Sequence, residues 1–167
     1  MKVIANANLN WGIGLNGKLL VWIPEDMKFF KKCTLGKVVV MGRETFETLP
    51  GKEPLKDRTN VVLTRNSSFE KEGIVKCSSI YDLKEKLKDY NSDDVYIIGG
   101  ESIYKQLLPF CSEALITKVE NNLEADKYFV NLDEKEEWEL AEQSELKTYN
   151  DINFRFIKYI NKTIKNT

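Results

Sequence analysis

The chain has 167 residues, and 25 Lys and Arg against 26 Asp and Glu give it a formal net charge of −1. This length suits one domain with a substantial hydrophobic core. The balanced charge, with no basic stretch interleaved with aromatic residues, argues against nucleic acid as a partner. The longest apolar runs are strand-sized and the N-terminus lacks the hydrophobic region of a signal peptide, so we expect a cytoplasmic protein without a membrane partner.

The sequence contains three cysteines, Cys33, Cys77 and Cys111, and no histidine. An odd number of widely spaced cysteines fits neither a disulfide framework nor a zinc site. We therefore expect reduced packing residues and no metal. A nucleophilic cysteine is the alternative, although no histidine is present to activate it.

Short apolar runs rich in Val, Ile, Leu and Tyr alternate with helical patterns as far as Pro109. Ser79 is a candidate N-cap, and Pro109 marks a helix end. This alternation predicts right-handed crossovers and a largely parallel sheet. The predicted strands are residues 3–5, 38–41, 61–63, 74–75 and 95–98, and the predicted helices are residues 25–34, 43–48, 79–90 and 101–109.

Beyond Pro109 the pattern changes to strands at residues 114–117, 138–140 and 153–157, which predict an antiparallel edge. The expected fold class is α/β, with one domain over residues 1–167. Its central, mostly parallel sheet has about eight strands, an antiparallel C-terminal edge and about four flanking helices. The Lys- and Asn-rich residues 161–167 are expected to form a frayed tail.

Residues 12–17, Gly-Ile-Gly-Leu-Asn-Gly, match the G-x-G-x-x-G pattern of dinucleotide-binding proteins. That motif must open a helix, and here no helix can begin before Pro24. We therefore expect a flexible loop able to cover a site. An ordinary glycine-rich surface turn is the alternative.

Asp26 is the most informative residue of the sequence. Pro24 is pre-organised for the first turn of a helix, and Phe30 follows Asp26 at i+4, so the acid borders an apolar stripe. The helix N-terminus stabilises the anion by about 0.3–1 kcal/mol. Burial opposes ionisation with a larger free energy and so raises the pKa of the carboxyl group. In a dry pocket the acid is then partly protonated near neutrality and suited to protonating or polarising a bound ring. The alternative is that Asp26, like Glu25, supports the helix from solvent.

Three strand ends are candidate phosphate sites, because glycine admits close backbone approach and helix N-termini present unpaired N–H groups. Ligands of open α/β sheets bind along this edge. Two arginines suit an extra phosphate, which favours NADP over NAD. Each feature alone also occurs for turn geometry or as a solvated surface group. The residues are Gly42, Arg43 and Thr45, then Thr64 and Arg65, and then Gly99, Gly100 and Ser102.

Five motifs occur in a fixed order along nearly the whole chain. They are Asp26 after Ile23-Pro24, residues 40–45 (Val-Met-Gly-Arg-Glu-Thr), Arg58 after Leu55, residues 97–104 (Ile-Ile-Gly-Gly-Glu-Ser-Ile-Tyr) and residues 115–118 (Leu-Ile-Thr-Lys). In this order the motifs resemble the dihydrofolate reductase family. The resemblance implies a monomeric oxidoreductase that uses NADPH to reduce 7,8-dihydrofolate to 5,6,7,8-tetrahydrofolate, with hydride transfer to C6 and protonation at N5. Its product would serve one-carbon and thymidylate metabolism.

The resemblance also implies a role for each matched position. Asp26 would bind the ring amino group and N3 and promote protonation at N5, Thr117 would hydrogen-bond that carboxylate, and Arg58 would bind the substrate's glutamate α-carboxylate as a fork. Residues 12–22 would form a mobile loop over the nicotinamide, and the Gly99–Gly100 peptide would be cis. Apolar walls for the substrate would come from Ile4, Met27, Phe30, Leu49, Leu55 and Ile98. NADPH would be held by Ala5, Ile13, Gly14, Leu19, Gly42, Arg43, Thr45, Thr64, Arg65, Gly99, Gly100, Ser102, Ile103 and Tyr104.

The chain departs from the family pattern at several positions. Val21 stands where most members have a tryptophan, and Trp22 comes one position later, so an indole donor near the acid is missing or redirected. Lys127 and Val130 stand where threonine and proline are usual, which puts the hydrogen bonds of the mobile loop in question. Residues 50–54 form a variant loop beside the substrate tail.

Two other functions fit parts of the pattern. A reductase of the same fold that acts on a riboflavin precursor would share the cofactor junctions, but it has no use for Asp26 together with Arg58. A catalytically silent NADPH- or folate-binding module would bind without consuming NADPH. A purely structural protein would have no use for phosphate junctions along one sheet edge.

Overall fold

The structure is a computed structural model that describes residues 1–164. No helix within this range combines the length and the apolar character needed to cross a membrane. The elements in chain order are β1 (Lys2–Asn8), β2 (Gly12–Leu15), β3 (Lys18–Leu19), α1 (Pro24–Thr34), β4 (Val38–Gly42), α2 (Arg43–Thr48), β5 (Thr59–Leu63), β6 (Ile74–Cys77), α3 (Ile80–Leu87), β7 (Val95–Gly99), α4 (Glu101–Leu107), β8 (Glu113–Val119), β9 (Lys127–Tyr128), β10 (Trp138–Gln143), β11 (Lys147–Tyr149) and β12 (Ile152–Asn161).

The main sheet runs in the order β10-β12-β8-β1-β7-β4-β5-β6, and β11 pairs with β12 beside it. The strands from β8 to β6 in this order pair in parallel. β12 joins β8 antiparallel, and β10 joins β12 antiparallel. The predicted α/β fold, with a mostly parallel sheet and an antiparallel C-terminal edge, is therefore confirmed.

The central strands form where apolar and β-branched residues run without interruption, as expected for a sheet covered on both faces. In β4 the residues from Val38 to Met41 are all at most 2% exposed. α1 begins at Pro24, and Ile23 before it is extended with φ −125° and ψ 120°. Ser79 caps α3 as predicted, since its Oγ accepts a hydrogen bond from the Asp82 amide at 3.1 Å. α3 ends earlier than the predicted residue 90, at Leu87.

The segment predicted as a loop at residues 12–17 is instead part of a small second sheet. Its strands β2 and β3 form a hairpin, and β2 also pairs with β9, with Gly12 opposite Tyr128 and Gly14 opposite Lys127. The prediction of irregular structure was wrong because the partner strand lies far away in the sequence. The mobility of this hairpin stays a prediction.

The predicted frayed tail begins too early. Asn161 is the last residue of β12 and is only 2% exposed. Its amide N–H donates to the Ser112 carbonyl at 2.9 Å, and its side-chain amide donates to the Cys111 carbonyl at 3.2 Å. These bonds fasten the strand end to the loop before β8. Residues 165–167 of the predicted tail lie outside the described residues.

All three cysteines are free. Cys77 and Cys111 are fully buried in the main hydrophobic core, and Cys33 is half-buried. Burial raises the pKa of the Cys111 thiol to about 12, and it raises the pKa of Cys77 and Cys33 as well. Thiols held protonated in this way are poor nucleophiles. The structure agrees with a packing role for Cys77 and Cys111, and the reduced state of the three thiols stays a prediction.

Candidate active site

A buried carboxylate lies where α1 meets the sheet. Asp26 is in the first turn of α1 and is 5% exposed. Thr117 Oγ1 donates to Asp26 Oδ1 at 2.5 Å, and Asn6 Nδ2 donates to Asp26 Oδ2 at 2.9 Å. Asn6 and Thr117 are direct partners in the pairing of β1 with β8. Two neighbouring strands therefore hold the two oxygens of one acid.

The environment of Asp26 raises its pKa above 3.8, the ordinary value. Burial is the largest cause, because it removes the charged form from water. The hydrogen bonds from Asn6 and Thr117 lower the pKa but do not cancel the effect of burial. The alternative that Asp26 supports the helix from solvent is therefore wrong, and Glu25 has that exposed position, paired with Lys147 at 3.0 Å.

One face of α1 connects this acid to an arginine. Asp26, Phe30 and Thr34 follow at intervals of four residues, so they form one stripe. The Thr34 hydroxyl donates to the Phe30 carbonyl at 2.8 Å and accepts from Arg58 Nε at 3.3 Å. Arg58 Nη1 also donates to the Lys56 carbonyl at 2.6 Å. With a rise of 1.5 Å per residue, the acid and the arginine lie at the two ends of a stripe about 12 Å long.

The predicted apolar substrate residues come from several elements. Met27 and Phe30 are half-buried on α1, and Ile4 is buried on β1. Leu49, Leu55 and Ile98 pack around a second core cluster that contains Phe46 and Met41. Of all the predicted substrate residues, Ile98 alone also lines the large cleft of the described chain.

That cleft has a volume of about 1160 Å³ and lies at the carboxyl ends of the parallel strands. It is lined by the ends of β4, β5 and β7, by the first residues of α2 and α4, and by the β2–β3 hairpin. All the residues predicted to hold the dinucleotide line it. They are Ala5, Ile13, Gly14, Leu19, Gly42, Arg43, Thr45, Thr64, Arg65, Gly99, Gly100, Ser102, Ile103 and Tyr104.

Two glycines bring strand ends close to their neighbours at the cleft. A Cβ at Gly100 would lie 3.1 Å from Thr45 Oγ1, and one at Gly42 would lie 3.1 Å from Ile103 Cγ1. Both contacts are tighter than ordinary packing, so these positions favour residues without a side chain. The Gly99–Gly100 peptide is cis, as the resemblance implies.

The basic and hydroxyl groups of the cleft differ in how they are held. Arg43 Nη1 donates to both carboxylate oxygens of Glu47, at 2.8 and 2.9 Å. Arg65 is exposed, and no ion pair within residues 1–164 includes it. Tyr104 lines the cleft with its ring, but its hydroxyl donates to the Ile4 carbonyl at 2.8 Å. Burial raises the pKa of that hydroxyl, and the Asp26 charge raises it further.

Several lining residues were not predicted. Ser78 and Ser79 follow β6 just as Thr64 and Arg65 follow β5, so the rule of strand carboxyl ends could have found them. Lys18 and Lys127 enter the cleft through the small second sheet, whose pairing no local pattern indicates. Asn6 was missed as well, although it contacts the acid directly.

Asn6 joins the two parts of the site. Its side chain hydrogen-bonds Asp26, and the residue lines the large cleft beside Ala5 and Ile98. The buried carboxylate is therefore one hydrogen bond behind the wall of the cleft. A ligand in the cleft and a ligand against α1 would meet at this point.

The sheet order and the site define an α/β protein whose ligand cleft opens along the carboxyl ends of parallel strands, next to one buried acid. Comparison with known proteins agrees with this class. The family model described as dihydrofolate reductase matches residues 1–161, and the chain belongs to the dihydrofolate reductase family.

Individual relatives differ in how much of their length the chain matches. The chain is 34% identical over 164 residues to the dihydrofolate reductase of Neisseria gonorrhoeae, covering 97% of this chain and 98% of that protein. It is 39% identical over 150 residues to a bifunctional dihydrofolate reductase-thymidylate synthase of Daucus carota, covering 80% of this chain but spanning only 28% of that protein. A solved structure of dihydrofolate reductase from Enterococcus faecalis, complexed with NADP(H) and RAB-propyl, matches with a TM-score of 0.85 at 29% identity, over 96% of this chain and 95% of that one.

Proposed function

We propose that this protein reduces 7,8-dihydrofolate to 5,6,7,8-tetrahydrofolate with NADPH as the hydride donor. The observation that carries the proposal is the buried carboxylate of Asp26, one hydrogen bond behind a cleft that is large enough for a dinucleotide. Family membership supports the same reaction. The name of the Enterococcus faecalis complex supports the cofactor.

The residues of the cleft fit NADPH. A side chain at position 42 or 100 would crowd Ile103 or Thr45, and glycine at these strand ends suits close approach of a pyrophosphate to the backbone. Arg43, Thr64 and Arg65 supply charge and hydrogen bonds for an additional phosphate. Ala5, Ile13 and Leu19 supply apolar surface where a nicotinamide ring would be shielded from water.

The stripe along α1 fits dihydrofolate. Asp26 would accept hydrogen bonds from the ring amino group and N3, and Arg58 would bind the α-carboxylate about 12 Å further along the helix. Between them, Phe30 and Met27 offer an apolar surface to the middle of the substrate. Ile4, Leu49, Leu55 and Ile98 would complete the walls of this substrate site.

The protein would contribute by positioning the two reactants, by excluding water from the site and by favouring protonation of the substrate at N5. When bound, NADPH supplies the hydride for C6 of the substrate. Asp26, whose pKa burial raises, holds charge or proton next to the ring and favours protonation at N5. Thr117 and Asn6 fix the orientation of its carboxylate, and the adjoining cleft holds the two reactants at a common boundary.

An absorbance assay tests the proposal. The purified chain with NADPH and dihydrofolate should lose the absorbance of the reduced nicotinamide at a rate that depends on both reactants. NADH at the same concentration should react much more slowly, since it offers Arg43 and Arg65 no additional phosphate. Binding of both ligands without oxidation of NADPH would favour the silent binding module instead.

The remaining parts of the proposal are a monomer, one domain over residues 1–167, and a cytoplasmic location. The three free cysteines are compatible with a reducing compartment. Sedimentation at micromolar concentration tests the monomer, where a mass of about twice 19.3 kDa would contradict it. A single cooperative unfolding transition is the expected result for one domain.

A further inference from the structure

We infer that Asn6 is a positioning residue that fixes the Asp26 carboxylate from the cleft side, as a second donor beside the predicted Thr117. The inference rests on the proposed function, because it assigns Asn6 a task in the same reaction. Its side chain contacts the acid and not the reacting atoms of a substrate. Four observations support it.

The first observation is the strand register. Asn6 on β1 lies directly opposite Thr117 on β8, and each donates one hydrogen bond to a different oxygen of Asp26. Neighbouring partners in a sheet project to the same face. One donor from each of two paired strands therefore binds each oxygen of the carboxylate. These two bonds fix the plane of the carboxylate as well as its position.

The second observation is the direction of the Asn6 amide. Its Nδ2 faces Asp26 Oδ2 at 2.9 Å and the Val21 carbonyl at 3.5 Å. Both neighbours are acceptors, so only the NH2 group of the amide satisfies them. A flipped amide would place oxygen against oxygen. The network therefore selects one orientation, in which Asn6 is a donor to the acid.

The third observation is the chemistry of position 21. Val21 is 6% exposed and offers a hydrocarbon side chain, so its contribution to the acid's surroundings is limited to its backbone carbonyl. Asn6 hydrogen-bonds this carbonyl and the acid with the same NH2 group. The segment that leads into α1 is thereby tied to the first strand at the point where the acid must stay in place.

The fourth observation is the scarcity of other charge around this carboxylate within residues 1–164. The charged residue next to it on α1, Glu25, is exposed and paired with Lys147 on β11. From α4, the Tyr104 hydroxyl is neutral and engaged with the Ile4 carbonyl. On β8 the donor is the uncharged Thr117, and the ammonium of Lys118 lies instead over the Trp11 ring. Hydrogen bonds therefore provide the influence that opposes burial, and the bonds from Asn6 and Thr117 both lower the pKa of Asp26.

The test removes the donor and follows the acid. Asn6→Ala, and the volume-preserving Asn6→Leu in case the smaller side chain prevents folding, are compared with wild type in the dependence of kcat on pH. Loss of a donor to the anion should move the titration upward by about 1 pH unit. On the acidic side of that titration, kcat should fall about tenfold, because the carboxyl group is no longer held in its productive orientation.

A matched control and a second readout make the test decisive. Asn161→Ala removes an equally buried amide at the far end of β12 and should leave the titration unchanged. The carboxyl resonance of Asp26, observed by carbon NMR in the protein without substrate and assigned with Asp26→Asn, should titrate at higher pH in the Asn6 variants. Reduced stability with an unchanged carboxyl titration would overturn the inference. A protein that shows the shifted titration but does not reduce dihydrofolate would contradict the proposed function and leave the Asn6–Asp26 contact supported.

Discussion

The acid pocket and the large cleft differ in how their charged groups are placed. The pocket has one buried charge, and each of its oxygens has a donor from a central strand. The cleft distributes its charge over groups that follow several strands, such as the half-buried Arg43 and the exposed Arg65. One site depends on a single carboxylate, and the other depends on many weak contacts.

This difference sets the scale of what substitutions should do. A buried charge interacts strongly because little water screens it, whereas an exposed charge is screened and contributes little by itself. Changes in the pocket should therefore affect the chemical step severely. Changes in the cleft should reduce affinity by modest and separable amounts.

The largest expected effect is that of Asp26→Asn on turnover. The amide cannot hold a proton for N5, so we expect kcat at pH 7 to fall by about 10²–10⁴. NADPH affinity should stay within about threefold of wild type, because Asp26 is outside the cleft. Steady-state kinetics and fluorescence quenching by NADPH measure the two effects, and unchanged turnover would remove Asp26 from the mechanism.

The same variant should be more stable than wild type at neutral pH. Burial raises the pKa of Asp26 in the folded state above 3.8, so the folded chain binds the proton more tightly than the unfolded chain does. Stability from this group is therefore greatest at low pH and decreases as pH rises from 3.8 through the raised folded value. Asp26→Asn removes this cost, and Tm at pH 7 should rise by about 2–4 °C. A lower Tm at pH 7, with normal stability at pH 4, would contradict the assignment.

The sequence predicted the pocket and the cleft unequally well. Asp26 was found because Pro24 fixes the start of α1, and the phosphate-site candidates of the cleft were found because glycine, arginine and hydroxyl groups follow apolar strands. These are local signals. The other predicted cleft residues came from the family resemblance. Asn6 was missed because it lies just beyond the predicted strand of residues 3–5, and the partner of its amide lies twenty residues away in sequence.

The β2–β3 hairpin was missed for a related reason. Its glycines predict a turn, but its strand character depends on β9, which comes from the region after β8. Asp126, the residue before β9, holds the hairpin through two hydrogen bonds. Its amide donates to the Gly14 carbonyl at 3.0 Å, and its Oδ2 accepts from the Asn16 amide at 3.0 Å. Non-local pairing of this kind leaves no periodic pattern in either segment. Lys127, where we expected altered hydrogen bonds of the mobile loop, lies in β9 itself.

The second-largest effect should come from the far end of the α1 stripe. Arg58→Ala removes a fork for the α-carboxylate while leaving Asp26 in place, so KM for dihydrofolate should rise about 10–100-fold with kcat within about threefold. Thr34→Val is the milder companion variant, because it keeps the guanidinium and removes the 3.3 Å contact that orients Arg58, together with the bond from the Thr34 hydroxyl to the Phe30 carbonyl. A loss confined to kcat would show that Arg58 serves the chemical step instead.

A smaller effect is expected in the cleft. Arg65→Ala should raise KM for NADPH about tenfold and leave KM for NADH unchanged, because only NADPH carries the additional phosphate. The difference should shrink at high salt. Arg155→Ala is the matched control, since Arg155 on β12 pairs with Glu120 at 3.8 Å and does not line the cleft. An equal loss for both cofactors would place Arg65 at a part that they share.

The smallest expected effect is the stability gained by removing a buried charge that the proposed reaction does not use. Lys118 follows Thr117 on β8, and within residues 1–164 its buried Nζ has no hydrogen-bond partner and lies 3.4 Å from the centre of the Trp11 ring. Burial lowers the pKa of Lys118 to about 8. Lys118→Met should therefore stabilise the fold at pH 7 by about 1 kcal/mol, a value reduced by partial exposure and by the attraction of the ring.

The pH dependence of that gain has a definite sign. Between pH 8, the folded value, and pH 10.5, the ordinary value, the unfolded chain holds more of the proton than the folded chain. Wild-type stability from this group therefore rises with pH, and the advantage of Lys118→Met should shrink across that range. Urea unfolding at pH 7 and pH 10 measures it, with Lys158→Met as the control because Lys158 is paired with Glu142 at 3.5 Å. A variant less stable than wild type at both pH values would mean that the attraction between the Trp11 ring and the ammonium outweighs the cost of desolvation. Burial alone would then not show whether a charged group such as Lys118 or Asp26 destabilises the fold.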